Sequence, residues 1–207
     1  MATKKEKPPV DLGTLDMIPR TAVCPTPFNQ EDVTLGVHTL YEGVNVPQFA
    51  TKSSGCFDLE VYLGDALTHV KAHNSNNQEF NLKIRQDPDE SRYVLLNPGD
   101  RVMLPTGLVF DIPPGHSLNV IPRSSTGWKH GLGMPHSIGY IDEDYVNECF
   151  VVLKNETSTV VRVDHRARLA QASLIRYEQP SFHRLVDRPA SKTDRVGGFG
   201  STNRGNR

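Results

Sequence analysis

From about residue 34 onward, apolar residues fall in short runs broken by turn formers. Phe57-Asp58-Leu59-Glu60-Val61-Tyr62-Leu63 alternates with the two-residue period of a half-buried strand. Arg101-Val102-Met103-Leu104 and Val161-Arg162-Val163-Asp164 do the same, and Ser117-Leu118-Asn119-Val120-Ile121 reads as a further strand. Asn97-Pro98-Gly99-Asp100 and Pro113-Pro114-Gly115 separate such runs, because proline presets φ and glycine accepts a positive φ. Long helical periodicity is absent. One short helix is predicted over 124–130, capped by Ser124 or Ser125. There is no internal repeat. The pattern predicts an all-β domain, a barrel or sandwich of many short strands.

Two stretches depart from it. Residues 1–33 mix Lys, Pro and Asp without periodicity and read as a poorly ordered extension; Lys4, Lys5 and Lys7 are a charged end there rather than a localisation signal. Residues 68–92 are polar and read as an insertion within the 34–190 domain, with a hairpin around Phe80-Asn81-Leu82-Lys83-Ile84. Residues 191–207 end in Asp194-Arg195-Val196-Gly197-Gly198-Phe199-Gly200-Ser201-Thr202. Glycine loses the most freedom on ordering, so this tail does not hold a shape alone. Its arginine, aromatic ring and hydroxyls suit a flexible flap that closes over a flat, polyanionic ligand; the plainer alternative is a frayed polar terminus.

Composition narrows the classes. The 207 residues fit one ordinary domain with a real core. A net charge of −1 argues against a dedicated nucleic-acid binder but allows a small anionic ligand. Cys24, Cys56 and Cys149 are too few and scattered for a disulfide framework or zinc knuckle. No apolar run approaches the ~18 residues of a membrane span. The N-terminus lacks the apolar centre of a signal peptide. A cytoplasmic, intracellular protein without membrane or nucleic-acid partners is expected, and the Asn155-Glu156-Thr157 sequon is then a chance match.

Three clusters offer chemistry. Gly139-Tyr140-Ile141-Asp142-Glu143-Asp144-Tyr145 sets three acids beside two tyrosines at a hairpin, where a carboxylate orients and deprotonates water or simply forms a solvated turn. Pro122-Arg123-Ser124-Ser125-Thr126-Gly127 combines a guanidinium fork, hydroxyls and a helix start, which suit phosphate; the plainer alternative is a capped turn with a surface arginine. In Arg168-Leu169-Ala170-Gln171, a polar Gln171 in an apolar strand reaches a ligand or satisfies a neighbouring backbone group. No Walker-type loop, His-Glu-x-x-His or zinc-deaminase signature occurs. His130 and His136 lack clustered acids or cysteines for a metal site, and Cys149 lies in an apolar run as a core residue.

Taken in order, these segments resemble the trimeric dUTP pyrophosphatases (dUTPases), from about Val46 to Thr202. Ser54-Gly55-Cys56-Phe57-Asp58-Leu59 resembles the first motif, and Pro122-Arg123-Ser124 the second. Gly139 through Tyr145 with Glu148 resembles the third, Arg168 to Gln171 the fourth, and Gly197 to Thr202 the fifth. The resemblance implies a jelly-roll-like β-barrel in a homotrimer with sites between subunits. It implies hydrolysis of dUTP to dUMP and pyrophosphate, with Mg²⁺ on the triphosphate and no direct protein ligand to the metal. By match, Asp142 activates water, Tyr145 packs on deoxyribose, and Arg123, Ser124, Ser125 and Gln171 lie at the phosphates. Main-chain groups around Gly139 and Ile141 read the base. Phe199 covers it while Arg195, Gly200, Ser201 and Thr202 close on the triphosphate.

The departures are specific. Cys56 and Ser125 stand where the family usually has Gly, Tyr145-Val146-Asn147-Glu148 lacks the usual Arg-Gly, and Arg195 is one residue closer to Phe199. His136 stands where the family often has an Asn that reads the uracil edge; an Asn side chain offers donor and acceptor together, a neutral His one of each on separate nitrogens. Two rivals remain: the related dCTP deaminases, whose catalytic Glu position is Val152 here, and a non-catalytic jelly roll that binds nucleotide or protein.

Overall fold

The structure, a computed structural model, describes residues 33–193. The chain divides into two units, Met1–Thr34 and Leu35–Arg207, and every described strand lies in the second. The tail residues Arg195, Phe199, Gly200, Ser201 and Thr202, and the extension before residue 33, lie outside the described residues.

Among the described residues, fourteen strands and one helix follow in order. They are β1 (Gly36–Thr39), β2 (Phe57–Glu60), β3 (His69–His73), β4 (Glu79–Lys83), β5 (Arg85–Gln86), β6 (Arg92–Leu96) and β7 (Arg101–Pro105). Then come β8 (Leu108–Asp111), β9 (His116–Pro122), α1 (Ser124–His130), β10 (Leu132–Gly133) and β11 (Gly139–Ile141). The last are β12 (Phe150–Asn155), β13 (Val161–Asp164) and β14 (Arg168–Arg176). All pairings are antiparallel. The larger sheets run β10-β12-β7-β3-β4 and β11-β9-β14-β2, and smaller ones run β13-β6-β5 and β1-β8.

The two-residue period read from the sequence is the packing period. On β12, Val151 and Leu153 point inward while Phe150 and Val152 are half-buried. On β9, Leu118 and Val120 join Leu59, Leu104 and Leu153 in one core. Strands form at 57–60, 101–105, 116–122 and 161–164, where the sequence pattern predicts 57–63, 101–104, 117–121 and 161–164; Val61 to Leu63 lie beyond the end of β2 and stay buried. The segment expected as an insertion does form a hairpin, β3 with β4. Its inner strand also pairs with β7, and Val70, Ala72 and Ile84 are core residues, so this part of 68–92 is integral to a sheet. No helix among the described residues is long and apolar enough to cross a membrane.

Candidate active site

The helix α1 covers the expected residues, but its cap differs. Arg123, with extended φ/ψ, is the N-cap, and no side chain caps the helix; Ser124 and Ser125 are already inside it. The anchor comes from another strand. A register shift between Arg168 and Ala170 turns the Leu169 carbonyl toward α1. That oxygen accepts the Arg123 N–H (3.1 Å) and the buried Thr126 hydroxyl (2.5 Å). A bulge redirects backbone groups in this way, and here it does the work of a cap. The Ser124 and Ser125 hydroxyls have no partner among the described residues.

Arg123 is oriented by two contacts. Its Nε meets the Asp58 carboxylate at 2.9 Å, and its Nη1 donates to the Arg168 carbonyl at 2.9 Å. Arg168 approaches the other Asp58 oxygen at 3.5 Å. Gln171 lies in register with both Asp58 and Ile121, and its Nε2 donates to the Pro122 carbonyl at 3.4 Å. Segments far apart in sequence thus converge on one half-exposed cationic and hydroxylic cluster. Asp58, not assigned a role from sequence, is its organiser; the alternation Phe57-Asp58-Leu59 was the signal, since it points Asp58 away from the core.

The acidic hairpin is a second, separate cluster. Beyond β10 the chain turns tightly: Ser137 has φ 60, and the His136 carbonyl accepts the Ile138 N–H at 2.6 Å. The His136 ring then lies over Gly139, where an added Cβ would come within 3.2 Å of Nε2 and 3.3 Å of Val120 Cβ. Only glycine fits there without moving the ring. Gly139 and Ile141 pair with Val120 and Leu118. The Asp142 carbonyl accepts the Tyr145 N–H at 3.1 Å, closing a turn, and the Tyr145 hydroxyl donates to the Glu148 carbonyl at 3.0 Å. Asp142 is exposed, and its carboxylate accepts no hydrogen bond from the described residues.

Glu148 is half-buried. Its carboxylate accepts the Gly107 N–H at 2.7 Å, yet burial still raises its pKa above the ordinary value. Cys149, beside it, is pushed up to about 12 by burial, so it is inert as a nucleophile. Gly107 sits at φ 70, and Thr106 donates to the Cys149 carbonyl at 2.6 Å. The Pro105-Thr106-Gly107-Leu108 turn therefore braces the far side of the hairpin.

The register separates the two clusters. Asp142 follows Ile141, opposite Leu118, whereas Arg123 follows the other end of β9. At about 3.3 Å per residue, roughly 20 Å of strand lies between them. A surface cavity of about 580 Å³ is lined by Asp58 and Arg168 but not by Asp142.

The dUTPase family model matches residues 87–203, which include the hairpin, α1 and β14. The chain belongs to the dUTPase family. It is 45% identical over 114 residues to the deoxyuridine 5'-triphosphate nucleotidohydrolase of Anaeromyxobacter sp. (strain Fw109-5), covering 54% of this chain and 75% of that protein. Identity to the protein of the same name from Bdellovibrio bacteriovorus is 40% over 111 residues, covering 54% and 74%. In fold, the dUTPase chain is similar to Streptococcus mutans dUTPase (TM-score 0.54, 21% identity, 71% of this chain and 99% of that one). It is also similar to Staphylococcus bacteriophage 80alpha dUTPase with dUpNHpp (TM-score 0.61, 17% identity, 81% and 97%). These likenesses agree with the expected jelly-roll-like dUTPase barrel.

Proposed function

We propose that this chain hydrolyses dUTP to dUMP and pyrophosphate at sites shared between the subunits of a homotrimer. The observation that carries this is the free Asp142 carboxylate on a turn held at both ends, in a chain of the dUTPase family. Water attacks the α-phosphorus, the bond to the bridging oxygen of the β-phosphate breaks, and Asp142 takes the water's proton. The groups meeting one phosphate must come within hydrogen-bond reach of it. A single chain leaves Asp142 and Arg123 at opposite ends of β9, so Asp142 of one subunit serves the Arg123 cluster of another.

In this reading Arg123, with its Nη2 unpaired among the described residues, meets a phosphate oxygen together with Ser124, Ser125 and Gln171. Gln171 exchanges its long bond to Pro122 for that contact. Main-chain groups at Gly139 and Ile141 face uracil, His136 lies at the base edge, and Tyr145 packs against the sugar. Arg195, Phe199, Gly200, Ser201 and Thr202 close as a lid that excludes water and adds charge stabilisation. Mg²⁺ fits as a cation carried on the triphosphate, because guanidinium and hydroxyl groups suit phosphate oxygens rather than the metal; bound there, it would supply charge neutralisation to the phosphates. Deamination of dCTP is disfavoured: Val152, in mid-strand opposite Met103, cannot move a proton.

The test is pyrophosphate release from dUTP, dCTP, dTTP and UTP. Cytosine reverses donor and acceptor on the base edge, and each buried group left unpaired costs ~1–3 kcal/mol. dUTP is therefore expected to show the highest kcat/KM. Equal values for dUTP and dCTP would overturn uracil specificity while sparing hydrolysis, and His136→Asn measures the contribution of the ring.

A further inference from the structure

Three consecutive acids, Asp142, Glu143 and Asp144, look alike in the sequence, and the structure engages one of them. Glu143 Oε2 accepts the Gly115 N–H and the Tyr177 hydroxyl, each at 2.7 Å. Both donors are themselves placed by the fold. Gly115, at φ 74, lies in the turn between β8 and β9 that the His116 N–H to Pro113 carbonyl bond closes, so its own N–H is left to point outward. Tyr177 directly follows β14, and its N–H donates to the Gly115 carbonyl at 3.1 Å. Glu143 therefore ties the acidic turn to two other points of the fold, although it is exposed.

We infer that Glu143 is a positioning residue: through Tyr177 and the Gly115 N–H it holds the Asp142 turn in reacting geometry and couples it to the strand end from which the C-terminal segment departs. Without this clasp, Asp142 would be held on one side by the pairing of Ile141 with Leu118, and on the other by the Asp142–Tyr145 turn and the Tyr145 hydroxyl bond to Glu148, neither of which restrains Glu143 at the centre of the turn. An exposed turn whose central residues are unrestrained exchanges among conformers, and small misplacement of a reacting group costs rate steeply. The clasp leaves the Asp142 carboxylate untouched while pinning its neighbour. Because the same oxygen holds Tyr177, the direction in which residues 178–193 leave the barrel and the aim of Asp142 share one anchor. This inference rests on the reading of Asp142 as the water-activating base.

The experiment compares Glu143→Ala, Glu143→Gln, Tyr177→Phe and the Glu143→Ala/Tyr177→Phe double variant in the full-length chain, with Asp142→Asn as the reference. Steady-state dUTP kinetics are paired with hydrogen exchange of the peptide spanning 139–149. Glu143→Ala and Tyr177→Phe are each expected to lower kcat roughly 10-fold or more while KM stays within about twofold. The double variant should be no worse than Glu143→Ala, since both changes open one clasp. Glu143→Gln, which keeps an oxygen acceptor, should recover most of the loss, and exchange in 139–149 should quicken only where kcat falls. Parent-like kcat in both single variants, with Asp142→Asn inactive, would overturn the inference and leave the Asp142 reading standing. A loss that Gln does not rescue, or that comes with a lower melting temperature, would overturn it too. If Asp142→Asn itself turns over near the parent rate, the underlying reading fails. Exchange then decides alone, and unchanged exchange rejects the clasp.

Discussion

At the level of single residues, surroundings separate groups of the same chemistry. The Tyr177 hydroxyl, and then the Gly115 N–H, hold the Glu143 carboxyl below its ordinary pKa, and burial holds Glu148 above its own. Asp142 faces solvent with no partner among the described residues, as the proposed role in hydrolysis requires. Asp142→Asn keeps its size but cannot accept a proton, so kcat should fall by ~10²–10⁴-fold with nucleotide binding largely kept. Single-turnover rates and equilibrium binding of a non-hydrolysable dUTP analogue check this. His165 makes a different prediction. Its Nδ1 accepts the Leu63 N–H at 2.9 Å, which needs the neutral ring, and burial followed by the Arg166 and Arg92 charges lowers its pKa below 6.5. A folded-state pKa below the unfolded one means that the unfolded chain binds the proton more readily. The stability contributed is therefore present above pH 6.5 and is lost as pH falls toward the folded value. Urea midpoints of the parent should drop over that interval, and His165→Gln should flatten the drop.

Individual elements depend on one another more than on their own propensities. The helix α1 has no side-chain cap and takes its start from the β14 bulge; at its other end Gly131 adopts φ 60 and donates back to the Gly127 carbonyl at 3.2 Å. A Cβ at Gly131 would meet Thr157 Cγ2 at 2.2 Å, on top of the left-handed backbone. Gly131→Ala should cost roughly 2 kcal/mol in urea unfolding, from backbone strain and overpacking together. The change lies at the far end of α1 from Arg123, so kcat per folded molecule should stay close to the parent value. The hairpin of β3 and β4 shows the same dependence. Its exposed positions are polar enough to look like an insertion, yet Val70 and Ala72 face the core every second residue.

For the whole molecule, the roughly 20 Å of β9 between the acidic turn and the Arg123 cluster makes assembly part of the chemistry in the proposed reading. Mixing Asp142→Asn chains with chains truncated before Arg195 should restore part of the activity that each lacks alone, because some sites in mixed trimers combine an intact Asp142 with an intact tail. Recovery is read as pyrophosphate release after verified subunit exchange; none at all would count against sites that draw on different chains.

Periodicity and turn chemistry in the sequence determined the strands around Leu59, Leu104, Leu118 and Val163, the extent of α1, the core position of Cys149 and the order of the motif residues. These properties are local: a two-residue alternation or a Pro-Gly pair acts on its own few residues whatever the rest of the chain does. Only the tertiary structure decided that Asp58 orients Arg123, that a bulge rather than Ser124 starts the helix, that β3 is a core strand, and that Glu143 is engaged while Asp142 is free. Each of these depends on partners dozens of residues away. A carboxylate or a serine carries no mark of which distant N–H will face it until the strands are in register.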